Sequence, residues 1–143
     1  MQISKELEDI LMNVQKPARY IGGEFNSVSK DPKSADVRFA FCFPDLYEIG
    51  MSYMGMQILY HILNKEEDIF CERVFAPALD MEEEMRRRNM PLFTLETKTP
   101  VREMDFFGFT LQYEMSFTSI LDLLDLAGIP LMAKDRDEAH PIV

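Results

Sequence analysis

The chain has 143 residues, and its 25 acidic and 15 basic side chains give a net charge of -10 at pH 7. This length suits one domain, and 47% hydrophobic residues supply enough apolar surface for a core, which excludes global disorder. A negative surface repels nucleic-acid backbones, so no direct nucleic-acid partner is expected. The amino terminus is acidic and no apolar run reaches ~18 residues. The sequence therefore predicts a soluble cytoplasmic protein with no membrane partner.

The first 36 residues are predicted to form a helix followed by an extended lead-in. Apolar residues recur on one helical face over residues 4–15, and Ser4 is placed to cap that helix. Residues 16–28 show no period and contain Gly22 and Gly23, which are typical of a turn. A polar linker over residues 30–36 completes this region.

Strands and helices alternate from Val37 onward. A nearly continuous apolar run predicts a strand at residues 37–43, and the next elements are a helix at 51–64 and a strand at 69–75. Asp80 is then expected to cap a helix over residues 81–88. Three Glu–Arg pairs at i,i+4 along that helix predict a solvated face: Glu82–Arg86, Glu83–Arg87 and Glu84–Arg88.

The second half continues the same alternation. Short strands are predicted at residues 91–96 and 105–110, followed by a helix at 114–127 that is apolar around most of its circumference. Gly128 marks the end of that helix, and residues 141–143 resemble the beginning of another strand. The pattern predicts a mainly parallel, doubly wound α/β sandwich of the Rossmann or flavodoxin type. We expect this domain to span residues 37–143 and to be truncated before its last strand.

Ligands of such sheets bind beyond the carboxyl ends of the strands. The loop at residues 44–50 leads into a helix, where backbone N–H groups could bind a polar or anionic ligand. It matches neither a G-x-G-x-x-G nor a Walker motif. Two interpretations stay open: a ligand site, or a helix capped by Asp45 or Ser52 in which Gly50 and Gly55 permit close packing against the strand.

No catalytic constellation is evident. His61 and His140 have no partner suggested by spacing, and Cys42 and Cys71 are too few for a zinc site or an iron-sulfur cluster. We therefore predict no catalytic residue and no metal ligand in this chain.

Four segments, residues 16–26, 38–52, 71–77 and 108–114, resemble the amino-terminal region of a bacterial family of large radical SAM proteins. In that family the region is similar to a cobalamin-binding domain that precedes a radical SAM barrel. The resemblance implies S-adenosylmethionine and a [4Fe-4S] cluster, held by three cysteines, in the barrel of the parent protein. That barrel, in the same chain or in a companion chain, is the implied partner.

The resemblance can be tested at the cobalamin motif Asp-x-His-x-x-Gly. The matching loop contains Asp45, Tyr47 and Gly50, so a tyrosine stands where the histidine ligand to cobalt would be. A phenol with a pKa of about 10 is a poor ligand near neutral pH. The second motif, Ser-x-Leu, falls at Thr110 without its leucine, and a third would lie beyond Val143. The candidate cofactor-binding residues are Asp45, Tyr47, Gly50, Ser52, Thr110, Tyr113 and Glu114.

Two functions follow from these departures. We favour an accessory domain that has lost the cofactor, packs on the catalytic barrel and shapes substrate access. The alternative is a small-molecule binding module that holds cobalamin without a histidine ligand, or a nucleotide. Glu114 could equally cap the last helix. An unpaired sheet edge would also permit a homodimer.

Overall fold

The computed structural model describes residues 4–143. Three strands, β1 (Val37–Phe43), β2 (Ile69–Phe75) and β3 (Phe106–Phe109), form the sheet. Five α-helices surround it: α1 (Lys5–Leu11), α2 (Tyr47–Ser52), α3 (Met54–Lys65), α4 (Leu79–Arg88) and α5 (Ser116–Leu126). Short 3-10 turns lie at Pro17–Tyr20, Val101–Glu103 and Ala133–Asp135.

The sheet is parallel, with the order β2-β1-β3. Beside β3, Ile142 forms a parallel bridge with Phe106, where the Phe107 amide donates to the Ile142 carbonyl at 2.8 Å. The strand expected to begin at residues 141–143 therefore lies where a fourth parallel strand would be. The predicted α/β sandwich of the Rossmann or flavodoxin type is confirmed.

Helices cover the two faces of the sheet unequally. Ala40 and Cys42 of β1 point into a large core shared with α1, α4 and α5. Phe41 and Phe43 point to the other face and pack with Met56 and Tyr60 of α3 in a smaller core. The alternation arises because successive strand residues point to opposite faces, and it explains why the run over residues 37–43 is apolar throughout.

Two predicted elements differ from the structure. The helix expected at 51–64 is two helices that meet at Tyr53, whose extended backbone (φ -86°, ψ 107°) breaks the helical path. Residues 91–96 form no strand and contribute only an antiparallel bridge between Phe93 and Pro100. Both errors arise because periodicity identifies apolar segments but not the backbone partner that each one finds.

The capping and pairing predictions around α4 were partly wrong. Ala78 is the N-cap, while Asp80 accepts a hydrogen bond from the Gln15 amide at 2.8 Å and so ties the lead-in to α4. Arg87 pairs with Glu84 rather than with Glu83. Arg86 pairs with Glu82 as expected, but it also reaches Asp122 and Asp125 of α5 at 2.7 Å each. This face therefore joins two helices instead of facing solvent alone.

The outer edge of β2 is closed by other parts of the chain. The Lys30 ammonium donates to the Ile69 carbonyl, and the Asn64 amide bonds both backbone groups of Cys71 at 2.9 and 3.0 Å. At Arg73 the backbone N–H donates to Glu96 Oε2 at 2.7 Å, and the carbonyl accepts from the Leu95 amide at 2.8 Å. An edge occupied in this way cannot accept a strand from a second copy.

We predict that Glu96→Ala lowers the free energy of unfolding by about 3–5 kcal/mol, because it removes one partner of a buried ion pair and reopens the edge of β2. Urea denaturation followed by circular dichroism measures the change. Glu67→Ala, at an exposed carboxylate on the loop before β2, is the matched control and should stay within about 0.5 kcal/mol of the parent. Equal effects of both substitutions would contradict the role assigned to Glu96.

Candidate functional site

The carboxyl ends of the strands bring together two of the predicted site residues. The Tyr113 hydroxyl donates to Asp45 Oδ2 at 3.2 Å, and the nearby Asp45 charge raises the pKa of Tyr113. The other Asp45 oxygen accepts from the Leu46 amide at 2.7 Å. Asp45 therefore orients its own loop instead of capping α2, whose N-cap is Leu46.

Thr110 lies at the same end of the sheet. Its amide donates to the Cys42 carbonyl at 3.2 Å, which extends the pairing of β3 with β1 by one residue. Its Oγ1 is buried and has no hydrogen-bond partner among residues 4–143. A buried hydroxyl without a partner costs free energy unless a water or ligand bonds it, so this atom is the most ligand-like feature of the sheet mouth.

Tyr47 does not hydrogen-bond to the Asp45–Tyr113 pair. Its hydroxyl donates to Glu24 Oε1 at 2.6 Å, and its ring packs edge-on against Phe75 with centroids 5.3 Å apart. Burial and the hydrogen bond to Glu24 raise the pKa of Tyr47 to about 12. The phenol is therefore protonated near neutral pH, and it is hydrogen-bonded to the Glu24 carboxylate of the lead-in.

The remaining predicted residues have local roles. Gly50 is buried against β1 and β2, because a Cβ there would lie 2.7 Å from Phe75 Cδ1 and 3.1 Å from Phe43 Cβ. The exposed Ser52 hydroxyl donates to the Ile49 carbonyl. Glu114 is exposed and does not cap α5, whose N-cap is Met115. Gly50 therefore packs against the sheet and Ser52 ends α2, and the structure gives the Glu114 side chain neither role.

A buried cluster of charged side chains lies beside Tyr47, and the sequence analysis did not predict it. Arg73 is 2% exposed, and its Nε donates to Glu96 Oε1 at 2.6 Å while Nη2 donates to Glu24 Oε2 at 2.7 Å. Its guanidinium also lies 4.9 Å from the centre of the Tyr60 ring. Burial alone would lower the pKa of Arg73, but Glu96 and Glu24 outweigh it and raise the pKa above its usual value.

This cluster joins three separate parts of the chain. Glu24 belongs to the lead-in, Glu96 to the loop before β3, and Tyr60 to α3, where its hydroxyl accepts from the Val28 amide at 2.8 Å and donates to Glu96 at 3.1 Å. The sequence did contain a signal. Glu72 and Arg73 interrupt an otherwise apolar strand, and buried charges are rarely found without partners.

Glu72 forms a second buried cluster on the opposite face of β2. Its Oε2 accepts from Thr94 Oγ1 at 2.7 Å and from the Thr97 amide and hydroxyl at 3.1 and 2.5 Å. Its Oε1 pairs with the Arg38 guanidinium, which also bonds Thr97 and Thr99. Each oxygen of the carboxylate thus has a partner, and the cluster holds the loop at residues 94–99 against the sheet.

A cleft of about 630 Å³ opens above the Arg73 cluster. Its walls come from the lead-in and from the side of α3, including Glu24, Phe25, Gln57 and His61. Phe25 is fully exposed at the lip. His61, for which the sequence suggested no partner, lies on the rim of this cleft.

The described residues do not fit a metal or a corrinoid with a protein ligand. Within residues 4–143 there is no group of three or more side chains that could hold a metal ion. Burial raises the pKa of Cys42 and of Cys71, so both are inert thiols. At the position of the cobalt-binding histidine, the Tyr47 phenol is protonated and bonded to Glu24, so it cannot serve as a ligand.

The three parallel strands and their flanking helices define an α/β domain of Rossmann type. Residues 55–143 match the family described as radical SAM proteins, N-terminal. This match covers more than half of the chain, so the chain belongs to that family. The predicted radical SAM relationship is confirmed, and a cobalamin-binding character stays a prediction.

The other comparisons found no relatives. Neither a curated protein nor a solved structure is significantly similar to the chain. Across residues 4–143, none of the helices is long and apolar enough to span a membrane.

We predict that Tyr47→Phe lowers the free energy of unfolding by about 1–2 kcal/mol at pH 7, because Glu24 loses a charge-assisted hydrogen bond. Burial alone would raise the pKa of Glu24, but the Tyr47 hydroxyl and Arg73 outweigh it and lower this pKa below its ordinary value of 4.5. The stability that Glu24 contributes is therefore present above 4.5 and lost as the pH falls through the lower, folded-state value.

The penalty of Tyr47→Phe should accordingly shrink in acid. Urea denaturation at a series of pH values measures it, with Tyr113→Phe as the control because that hydroxyl is bonded at an exposed site. A penalty that does not change between neutral pH and pH values well below 4.5 would show that the Tyr47 hydroxyl stabilises the fold independently of the charge on Glu24.

Proposed function

We propose that this chain is an accessory domain that packs against the radical SAM barrel of its parent protein and shapes substrate access to it. The observation that supports this most directly is membership in the family of N-terminal domains of radical SAM proteins. The chain has only Cys42 and Cys71, both buried in strands, so it supplies no triplet for a [4Fe-4S] cluster. Cleavage of S-adenosylmethionine at that cluster would belong to the barrel.

The surface that we assign to the barrel is the apolar rim between β3 and α5. It is defined by four exposed residues: Leu111, Tyr113, Met115 and Phe117. Phe117 alone exposes 57% of its surface, and large exposed apolar patches mark interaction sites. Leu121 continues the patch along α5, whose opposite side is buried through Leu123 and Leu124.

Charges near this rim are largely balanced within the domain. Asp122 and Asp125 of α5 both pair with Arg86 of α4, so their charges are partly compensated before a partner approaches. The Asp45–Tyr113 hydrogen bond is the polar element at the mouth of the sheet. We propose that this pair faces the barrel opening and that the rim around it excludes water from the substrate.

We also propose that the lead-in, residues 1–36, and the α/β part, residues 37–143, dock as one unit. Two links support this: the Glu24 carboxylate is paired with the buried Arg73, and the Val28 amide donates to the Tyr60 hydroxyl at 2.8 Å. The lead-in is thereby fixed to β2 and α3.

We predict that Phe117→Glu weakens binding of this chain to a complete family barrel by roughly tenfold or more, because it places a charge in the apolar rim. Isothermal titration calorimetry with the separate barrel measures the affinity. Ile58→Glu, an equivalent change on the exposed face of α3, is the matched control and should bind as the parent does. If the barrel does not bind the parent chain, or if it binds Phe117→Glu as tightly as Ile58→Glu, the assigned surface is wrong.

A second candidate, a module that binds cobalamin or a nucleotide, is favoured only by the unpartnered Thr110 hydroxyl. On the main proposal we predict no rise in melting temperature and no change in the visible spectrum when cobalamin, a flavin or ATP is added. A rise that Thr110→Val abolishes would support this candidate over the first. The change is nearly isosteric and removes only the hydroxyl of interest.

A further inference from the structure

The outer face of α3 is apolar and exposed. Met54, Ile58 and Ile62 follow one another at intervals of four residues and so lie in one row along the helix. Ile58 and Ile62 expose 51% and 52% of their surface, and Leu59 extends the row on one flank. Such a row is the ridge by which helices pack against one another.

This face carries no acidic side chain although the chain is strongly acidic, and its charged group is Lys65 at the end of α3. Residues 49–65 contain no Asp or Glu, although the chain has 25 acidic residues, and they form its longest stretch without one. The ionisable groups that α3 contributes are His61 and Lys65, with tyrosines beside them. A surface that meets a basic partner would carry acidic residues, whereas a surface that meets its own copy must avoid placing like charges opposite one another.

The sheet leaves room next to this row. α3 packs against β2. Because β2 lies two strand spacings, about 10 Å, from β3, and one α-helix is about 10 Å wide, the same face of the sheet has room for a second helix over β3. Over β3 the Phe39 ring stacks on Phe106 with centroids 5.7 Å apart, and a Cβ added at Gly108 would meet that ring at 2.6 Å. Both rings are partly exposed.

The two features lie side by side. Gln57 and His61 line the cleft on the outer side of β2, so Leu59, on the opposite flank of α3, faces toward β3. The row on α3 and the Phe39–Phe106 pair therefore bound one apolar groove, which we call the α3 groove.

We propose that a second copy of this chain occupies the α3 groove, so that two copies form a two-fold symmetric dimer. The row Met54–Ile58–Ile62 of each copy would lie over the Phe39–Phe106 pair of the other. The surface is self-complementary in this arrangement, because each copy offers both a helical ridge and a gap of helical width. The edge of β2, closed by Lys30, Asn64 and Glu96, takes no part.

The proposed dimer contact and the proposed barrel contact use different surfaces, and they can be tested separately. The barrel is proposed to bind at the rim around Phe117, whereas the dimer uses α3, so each surface can be disrupted without touching the other. Since two copies of net charge -10 repel one another, added salt should strengthen a dimer contact that contains no ion pair, because salt screens that repulsion.

Sedimentation equilibrium tests the proposal. At about 100 µM, where a contact of micromolar affinity is nearly saturated, we expect the parent chain to be dimeric and its dissociation constant to fall as salt is added. Ile58→Glu should raise that constant by roughly tenfold or more, while Phe117→Glu, the matched control on α5, should leave it unchanged. Circular dichroism confirms that both variants are folded.

Cross-linking supplies a second readout that does not depend on a destabilising charge. In this arrangement the two α3 helices lie side by side with their Leu59 flanks facing each other, so the two copies of Leu59→Cys should meet near the two-fold axis and form an intermolecular disulfide under mild oxidation. Background reaction is low because Cys42 and Cys71 are fully buried. Phe117→Cys is the control and should remain uncross-linked.

Three results would overturn the proposal. One is a parent chain that stays monomeric at this concentration. Another is a dimer that Phe117→Glu disrupts and Ile58→Glu does not. The third is a monomer whose binding to the barrel is lost on Ile58→Glu, which would assign the α3 groove to the barrel and would leave the family relationship untouched.

Discussion

The rest of the structure depends on the buried guanidinium of Arg73. A charge removed from water is tolerated only when partners surround it, and here Glu24, Glu96 and Tyr60 come from three distant segments. The same contacts close the edge of β2 and hold the lead-in against α3. Tyr47, which a corrinoid-binding relative would replace with a histidine, serves this cluster by bonding Glu24. Tyr47 thus contributes to the stability of the domain.

The function proposed here rests on the family membership of the domain and on the surface that the domain exposes. It keeps the parallel sheet of a ligand-binding fold and an apolar rim at the carboxyl ends of the strands. Its two cysteines are inert, and its described residues hold no metal site. A domain of this kind can act by covering a neighbour's active site, and its family places it at the N-terminal side of radical SAM proteins.

Much of the fold was predictable, because hydrophobic periodicity reports burial directly. The bounds of β1 and β2 and the helix end at Gly128, which adopts a φ of +69°, were all anticipated. The break at Tyr53 and the contacts of the candidate site were not. The sequence placed Asp45 and Tyr113 at neighbouring strand ends, but the partner of Tyr47 is 23 residues away in an aperiodic lead-in. Such long-range polar pairings leave no local pattern.

The most direct test of the account is hydrogen exchange on the parent protein, comparing this domain beside its barrel with the same domain alone. Docking through the rim predicts slower exchange in the barrel's presence for backbone amides of residues 111–117, which end β3 and begin α5. Amides around Arg73 should exchange slowly in both samples, because the cluster forms within the domain. Equal exchange at residues 111–117 with and without the barrel would contradict the central claim.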